Sequence, residues 1–217
     1  MRVHVVACGV LRRELEELGG EGVTFTFLPQ GLHLKPQTMR EPVQQAIDEL
    51  DGAPIDRVVL GYGLCANGVA GVRAGAHPVV IPRSHDCLGV LWGNLRGFEA
   101  DRAREPGTYY LSQGWLEHGA APLDKLESYR GVMDEEDADW GLREEFRHYT
   151  RLVWIDTGHD PEGRSCAEAR RNAEFLGLRF EQVHSDRALL RRLVQGGEGD
   201  DFVVVQPGET LEAKRFY

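Results

Sequence analysis

The sequence predicts an α/β fold of two Rossmann-like lobes with mainly parallel sheets and a cleft at the carboxyl ends of the strands. Three observations predict this fold. Short runs of β-branched residues recur along the chain, segments with helical spacing separate them, and the alternation is interrupted once, over residues 94–130. Strands that alternate with helices form parallel sheets joined by right-handed crossovers.

The first half of the chain shows the alternation most clearly. Its predicted strands are residues 3–7, 23–28, 57–61 and 78–82. Residues 11–18 have helical spacing, and residues 38–50 place Val43, Ile47 and Leu50 on one helical face. The Gly- and Ala-rich stretch before the fourth strand predicts a short helix.

The second half resumes the pattern after a less regular stretch that includes one strand within residues 107–115. The predicted elements that follow are helix 134–149, strand 151–156, helix 165–177, strand 179–183, helix 185–196 and strand 202–208. We therefore expect a first lobe over residues 1–98, an irregular and helical connection over 99–150, and a second α/β lobe over 151–217.

Composition narrows the possible partners. The 217 residues include 25 basic and 35 acidic side chains, for a net charge of −10. Nonspecific binding to nucleic acids or anionic membranes depends on clustered Lys and Arg, so we expect neither partner. No apolar run approaches the ~20 residues that span a bilayer. The apolar start lacks a cleavage site and leads directly into a charged helix, which predicts a cytoplasmic protein.

Three of the four cysteines follow a predicted core strand. Cys8 ends the first strand, while Cys65 and Cys87 follow the third and fourth strands after short loops. Because ligands bind outside the carboxyl ends of parallel strands, we expect these thiols to converge there. The chain has no CxxC pair, and without a secretion signal a disulfide framework is not expected. Cys166 lies inside a charged helix and is interpreted as a bystander.

Converging thiols are soft ligands that favour a transition metal. Three single thiols with one coordination position left open suit a [4Fe–4S] cluster or a zinc ion. Two alternatives stay open. The cysteines are small buried residues at strand ends, or one of them is a metal-free nucleophile paired with His85 or His33.

Polar residues in the neighbouring loops complete the candidate site. His33 and His85 are candidates for a fourth ligand or an acid–base group, and hydrogen-bonded structural histidines are the alternative. Asp86 would orient His85 or a substrate hydroxyl, or else cap the following helix. Arg83 would hold a carboxylate or phosphate group, or else form a surface ion pair.

The glycine-rich segment GYGLCANG, residues 61–68, contains Tyr62 and Gly63. Its backbone amides would cradle an anion, or its glycines would only allow tight turns. The segment matches neither a P-loop nor GxGxxG, so nucleotide binding is not supported. In the second lobe, Asp156 follows a predicted strand and would face a substrate if the two lobes face one another.

Five motifs together resemble the domain-of-unknown-function family DUF1638: LPQGLHLKP, GYGLCANG, IPRSHDCLGVLWG, GTYYLSQGW and FVVVQPG. The resemblance carries over to Cys8, His33, Gly61, Tyr62, Gly63, Cys65, Pro82, Arg83, His85, Asp86, Cys87, Gly93, Gly114 and Trp115, but not to Cys166. Members of this family are often found beside corrinoid-dependent methyl-transfer proteins. The resemblance therefore implies one-carbon metabolism and a corrinoid methyltransferase system as partner. The use of three separate cysteines also resembles quinolinate synthase, as an analogy only.

The sequence thus predicts a metal-dependent transferase or lyase that acts on a small polar substrate. The predicted metal ligands are Cys8, Cys65 and Cys87. The predicted catalytic groups are His85, His33 and Asp86, and the predicted substrate contacts are Arg83, Tyr62, Gly63, Trp115 and Asp156. The alternatives are a non-catalytic metal or cofactor carrier or sensor, and a metal-free enzyme with a cysteine nucleophile.

Overall fold

A computed structural model describes all 217 residues, which form two compact units. The first unit comprises Met1–Arg96 and Asp186–Tyr217, and the second comprises Gly97–Ser185. Each unit contains one mainly parallel sheet with helices, so the predicted α/β class is confirmed. None of the helices is both long enough and apolar enough to cross a membrane.

The regular elements follow the predicted alternation except between β3 and β4, where the predicted short helix is wrong and the chain forms turns instead. The strands are β1 (Val3–Cys8), β2 (Val23–Leu28), β3 (Arg57–Gly61), β4 (Val79–Pro82), β5 (Thr108–Ser112), β6 (Arg151–Asp156), β7 (Arg179–His184) and β8 (Phe202–Val205). The helices are α1 (Arg12–Leu18), α2 (Pro36–Asp48), α3 (Cys87–Trp92), α4 (Leu95–Arg104), α5 (Gln113–Glu117), α6 (Pro122–Arg130), α7 (Glu135–Glu145), α8 (Arg164–Leu176) and α9 (Ala188–Val194). Short 3-10 helices cover Gly9–Leu11, Gln30–Leu34 and Ala213–Phe216.

The sheet of the first unit has the strand order β2-β1-β3-β4-β8. The first four strands are parallel, and β8 pairs antiparallel with β4. The chain moves outward from β1 to β2 and then returns to β3 on the other side of β1. Right-handed crossovers in this order place α1 and α2 on opposite faces of the sheet. The carboxyl ends of β1 and β3 therefore flank the crevice where such sheets bind ligands.

The core of the first unit consists of the sheet and the apolar faces of its helices. β3 and β4 are buried on both faces, as their unbroken apolar runs predict. The predicted face of α2 is buried at Val43 and Ile47, whereas Leu50 lies beyond the end of the helix and is half-buried. α9 contributes buried leucines and packs on α1 and β3.

The second unit contains a three-stranded parallel sheet in the order β5-β6-β7. Leu111, Leu152 and Trp154 from β5 and β6 form a core cluster with Ala169 and Ala173 of α8. The small alanines let the helix backbone approach the sheet. A second cluster packs α6 against α7.

The structure divides the chain differently from the predicted domains 1–98, 99–150 and 151–217. Residues 186–217 belong to the first unit because Val203 and Val205 of β8 pair with Ile81 and Val79 of β4. All of the predicted connection, residues 99–150, belongs to the second unit, where β5 pairs with β6. The run FVVVQ is apolar enough for either sheet, and its composition does not specify the pairing partner.

Candidate functional site

Three buried free cysteines meet at the carboxyl edge of the first sheet. Cys8 is the last residue of β1, Cys65 lies in the loop after β3, and Cys87 is the first residue of α3. The Cys8 and Cys87 side chains share a hydrogen bond, and each interacts electrostatically with Cys65. The structure thus brings together the three thiols that the strand pattern predicts to converge.

Two backbone hydrogen bonds join the loops that carry Cys65 and Cys87. The Leu64 N–H donates to the Ser84 carbonyl at 2.8 Å, and the Cys65 N–H donates to the His85 carbonyl at 2.8 Å. These bonds link the segments that follow the paired strands β3 and β4. Backbone hydrogen bonds between the two loops therefore fix the positions of both thiols.

Two glycines permit this close approach. A Cβ atom at Gly61 would lie 2.5 Å from the Ala7 Cβ on β1, and a Cβ atom at Gly63 would lie 2.5 Å from the Asp86 backbone. Flexible side chains can move away from such a contact, but backbone atoms cannot. Any larger residue at position 63 would therefore push the two cysteine-bearing loops apart.

Cys65 begins a segment of three consecutive non-glycine residues in the left-handed region. The φ angles of Cys65, Ala66 and Asn67 are 49°, 53° and 66°. The turn closes with a hydrogen bond from the Gly68 N–H to the Cys65 carbonyl at 2.9 Å. Each L-residue in this conformation costs roughly 1 kcal/mol. Such strain is concentrated at functional sites, where the surrounding structure holds it in place.

Backbone N–H groups point at two of the three sulfurs. The Val10 N–H donates to the Cys8 Sγ, and the Gly63 and Cys87 N–H groups donate to the Cys65 Sγ. Hydrogen bonds to a sulfur favour its thiolate form. The backbone therefore supports negative charge at two of the cysteines, as a thiolate–metal site requires.

The three thiols differ in acidity. The hydrogen bond from the Cys87 thiol lowers the Cys8 pKa below its usual value, although burial opposes ionisation. The same hydrogen bond and burial raise the Cys87 pKa well above its usual value. Burial raises the Cys65 pKa to about 12. Cys8 is therefore the thiol whose ionisation the neighbouring groups favour most.

Tyr62 is buried beside the three thiols with no hydrogen-bond partner for its hydroxyl. The residue follows β3 directly, is 1% exposed, and has no donor or acceptor within reach of its oxygen. Burial and the charges of Cys8, Cys65 and Cys87 raise its pKa. An unpaired buried hydroxyl costs about 1–3 kcal/mol. The phenol is therefore a donor with no acceptor in the protein.

The three thiols are the residue type that a soft metal prefers. The structure contains no group of three or more His, Cys, Asp or Glu side chains arranged as a metal site. Cys8 and Cys87 share a hydrogen bond, and metal binding would replace the proton in it. Three thiols, N–H donors to two sulfurs and the unpartnered Tyr62 hydroxyl are the features that a thiolate–metal centre would use.

Asp86 caps α3, as one of its two predicted roles requires. Its Oδ1 accepts hydrogen bonds from the Leu88 N–H at 3.0 Å and the Gly89 N–H at 3.2 Å. The cap fixes the start of the helix and with it the position of Cys87. The Asp86 carboxylate also raises the pKa values of Cys65 and Cys87 through its charge.

The remaining polar residues of the first unit lie on the nearby loops. The half-buried His85 ring lies 5.6 Å from the Tyr217 ring, between centroids. The exposed Arg83 donates through Nη1 to the Arg215 carbonyl, so the predicted surface ion pair is replaced by a backbone contact. His33 Nδ1 lies 2.7 Å from the Gln30 carbonyl. The catalytic roles of these residues stay predictions.

Trp115 and Asp156 belong to the second unit. Trp115 packs against the cluster that contains Trp154, and Asp156 ends β6. The Asp156 carboxylate accepts hydrogen bonds from the Gly158 N–H at 2.8 Å and the Gln182 Nε2 at 3.0 Å. Their assignment as substrate contacts stays a prediction.

Cys166 differs from the other cysteines. It is half-exposed on α8, and its Sγ lies 3.5 Å from the Gln182 Oε1. Burial raises its pKa. Its thiol contacts a glutamine rather than another cysteine, and its interpretation as a bystander stays a prediction.

Sequence reasoning missed two contributors to the site. The Val10 N–H donates to the Cys8 sulfur through the backbone, so the identity of residue 10 does not predict this role. The left-handed segment Cys65–Asn67 had one sequence indicator, because Asn tolerates this conformation better than most residues. Nothing in the types of Cys65 and Ala66 indicates it.

Comparison with known proteins yields one family. The profile of the family described as "Protein of unknown function (DUF1638)" matches residues 27–194, well over half of the chain. The matched segment contains Cys65 and Cys87, and Cys8 precedes it. No curated protein and no solved structure matches the chain.

Proposed function

The chain belongs to the DUF1638 family, and we propose that it is a metal-dependent enzyme. Cys8, Cys65 and Cys87 hold an iron–sulfur cluster or a zinc ion that keeps one coordination position open for a small polar substrate. One observation carries the proposal. Three buried thiols lie together at the carboxyl edge of a parallel sheet, with backbone N–H groups directed at two sulfurs.

The bound metal would supply Lewis acidity toward the substrate. The protein residues supply the rest. The Val10 and Gly63 N–H groups favour thiolates, and burial keeps water from the sulfurs. In the proposal His85 and His33 move protons, with Asp86 holding the helix that presents Cys87.

The substrate contacts in this proposal are Arg83, Tyr62 and Gly63 of the first unit. We place the enzyme in the cytoplasm, with no nucleic-acid or membrane partner. The family resemblance supports a role in transferase or lyase chemistry of one-carbon metabolism, next to a corrinoid methyltransferase system.

A second candidate function is metal-free thiol chemistry. The Cys8–Cys87 hydrogen bond favours it, because it lowers the Cys8 pKa and provides a proton donor for the same reaction. A nucleophilic thiolate needs this combination. A third candidate is a metal carrier or sensor, which would use the same ligands without turnover.

Metal analysis of anaerobically purified protein tests the proposal. We expect iron with inorganic sulfide, or about one zinc per chain. The Cys65→Ala variant should lose the metal, while the matched control Cys166→Ala should keep it because its thiol lies outside the site. A chain that purifies without metal and cannot be loaded would contradict the proposal. Rapid alkylation of Cys8 in that chain would support the thiol nucleophile.

Turnover separates the enzyme from the carrier. The loaded protein is assayed for methyl transfer from methylated amines and thiols, with Cys65→Ala as the unloaded control. Turnover that disappears in Cys65→Ala supports a metal-dependent enzyme. Metal transfer to a second protein without turnover would support the carrier instead.

A further inference from the structure

We propose that the Tyr62 hydroxyl donates a hydrogen bond to the acceptor atom of a neutral or singly charged ligand at the thiol site, of which a small thiol is representative. This inference rests on the proposed function and names the class of substrate that the site accepts. It also names Tyr62 as the residue that recognises the ligand.

The position of Tyr62 supports this role. The register of β1 and β3 pairs Ala7 with Gly61, so Tyr62 follows β3 at the level of Cys8. Its side chain is 1% exposed, and its oxygen has no partner in the protein. A phenol donates its proton at ordinary pH because it ionises only near pH 10 or above. A buried donor beside the thiols therefore selects a ligand with an acceptor atom.

The charges at the site narrow the class of ligand. The thiols of Cys65 and Cys87 already interact unfavourably with the Asp86 carboxylate. Three thiolates and the Asp86 carboxylate already exceed the charge of a divalent metal, so a dianion such as phosphate would add like charge. A neutral or singly charged ligand avoids this repulsion, and a thiol sulfur also matches the softness of a thiolate-bound metal.

The thermal stability of the metal-free protein provides the first test. In Tyr62→Phe the unpaired hydroxyl is removed, so we expect Tm to rise by about 2–6 °C. The matched control is Tyr110→Phe. The Tyr110 hydroxyl donates to Asp101 Oδ2 at 2.8 Å, so its removal should lower Tm. A fall of Tm in Tyr62→Phe would overturn the proposal, because it would show that the hydroxyl has a partner within the protein.

Ligand binding to the loaded protein provides the second test. Wild type and Tyr62→Phe are loaded with the metal found by analysis, with cobalt(II) replacing zinc to give visible absorption bands. Both are then titrated with 2-mercaptoethanol and, separately, with inorganic phosphate. We expect equal metal stoichiometry, a Kd for the thiol at least about 10-fold higher in Tyr62→Phe, and no spectral response to phosphate.

The outcomes separate this inference from the proposed function. Wild type that binds no metal overturns the proposed function and the inference with it. Equal metal content with an unchanged thiol Kd in Tyr62→Phe overturns the role of Tyr62 alone. Saturable binding of phosphate at the metal overturns the ligand class and leaves the metal site intact.

Discussion

The thiol site of the first unit contrasts with a buried charge network in the second unit. Arg151, 1% exposed, starts β6 and forms the centre of this network. Its guanidinium donates to Asp101 at 2.5 and 3.3 Å, to Glu181 at 2.8 Å and to Thr108 at 2.8 Å. The Tyr110 hydroxyl completes the network by donating to Asp101.

The two regions differ in whether their buried polar groups have hydrogen-bond partners. The Arg151 network lies at the amino ends of its strands, and its buried charges are paired and hydrogen-bonded. The thiol site lies at the carboxyl ends, leaves the Tyr62 hydroxyl unpaired and holds Cys65 in a left-handed conformation. Satisfied buried networks specify a structure. Unsatisfied and strained groups indicate a function that compensates for their cost.

Breaking the charge network should have the largest effect on stability. In Arg151→Met the Asp101 carboxylate loses its buried guanidinium partner and keeps only the Tyr110 hydroxyl and the exposed Arg104, so we expect a loss of about 3 kcal/mol in the free energy of unfolding. Urea unfolding of both proteins measures this loss. The control is Arg164→Met, whose side chain is 81% exposed and should change stability by less than about 0.5 kcal/mol. A loss below about 1 kcal/mol in Arg151→Met would show that the charge network contributes little to stability.

The pH dependence of stability should reveal the same network. Burial opposes ionisation of Asp101, but hydrogen bonds from Arg151 and Tyr110 outweigh it and lower the pKa of the folded state. A lowered pKa stabilises the folded state above the unfolded pKa of about 3.9, and this stabilisation is lost as the pH falls through the folded pKa. Stability measured from pH 6 to pH 2 should therefore decline less steeply in Asp101→Asn. Parallel curves for the two proteins would show that Asp101 contributes nothing to the acid sensitivity.

Relieving the strain beside the thiols should give a smaller effect of opposite sign. Ala66 is exposed with a φ of 53°, so Ala66→Gly should stabilise the metal-free protein by about 1 kcal/mol. The same substitution at Ala167, an exposed position inside α8, should destabilise by about 1 kcal/mol because glycine weakens a helix. Both values come from urea unfolding. Equal effects of the same sign would indicate that the segment at Ala66 is unstrained.

The rate of thiol labelling should distinguish Cys166 from the three buried cysteines without any substitution. We expect native metal-free protein to react at the half-exposed thiol of Cys166 well before the three buried ones, because access limits the reaction. Mass spectrometry after brief maleimide treatment identifies the modified residue. The Cys166→Ala variant should show no early labelling. Early labelling of Cys65 would contradict its burial.

Sequence patterning predicted the strand ends and therefore the meeting of the thiols. Cys8, Cys65 and Cys87 follow strands whose apolar runs are unmistakable, and parallel pairing brings their ends together. The reversed direction of β8 was not predictable, since apolar runs do not specify a partner strand or a direction. The hydrogen bond between Cys8 and Cys87 depends on side-chain contacts between distant segments, which spacing alone does not encode.

The charge network likewise depends on contacts between distant segments that local sequence does not predict. Asp101 lies in a charged segment, and Arg151 directly precedes an apolar run. The burial of both side chains results from the packing of β5, β6 and β7. The local sequence gives no indication that the Arg151 side chain is buried. Long-range pairing decided where this charge lies.

The antiparallel strand β8 has a consequence for how the protein is made. The first unit is assembled from two stretches of chain, and the second unit is a continuous insertion between them. On a ribosome, which delivers residues in order, β4 emerges long before β8 and exposes an open strand edge in the meantime. The inserted unit is fully synthesised before the sheet that carries the thiols can close. Nascent chains should therefore be most prone to wrong pairing during this interval, at the strand that precedes Cys87.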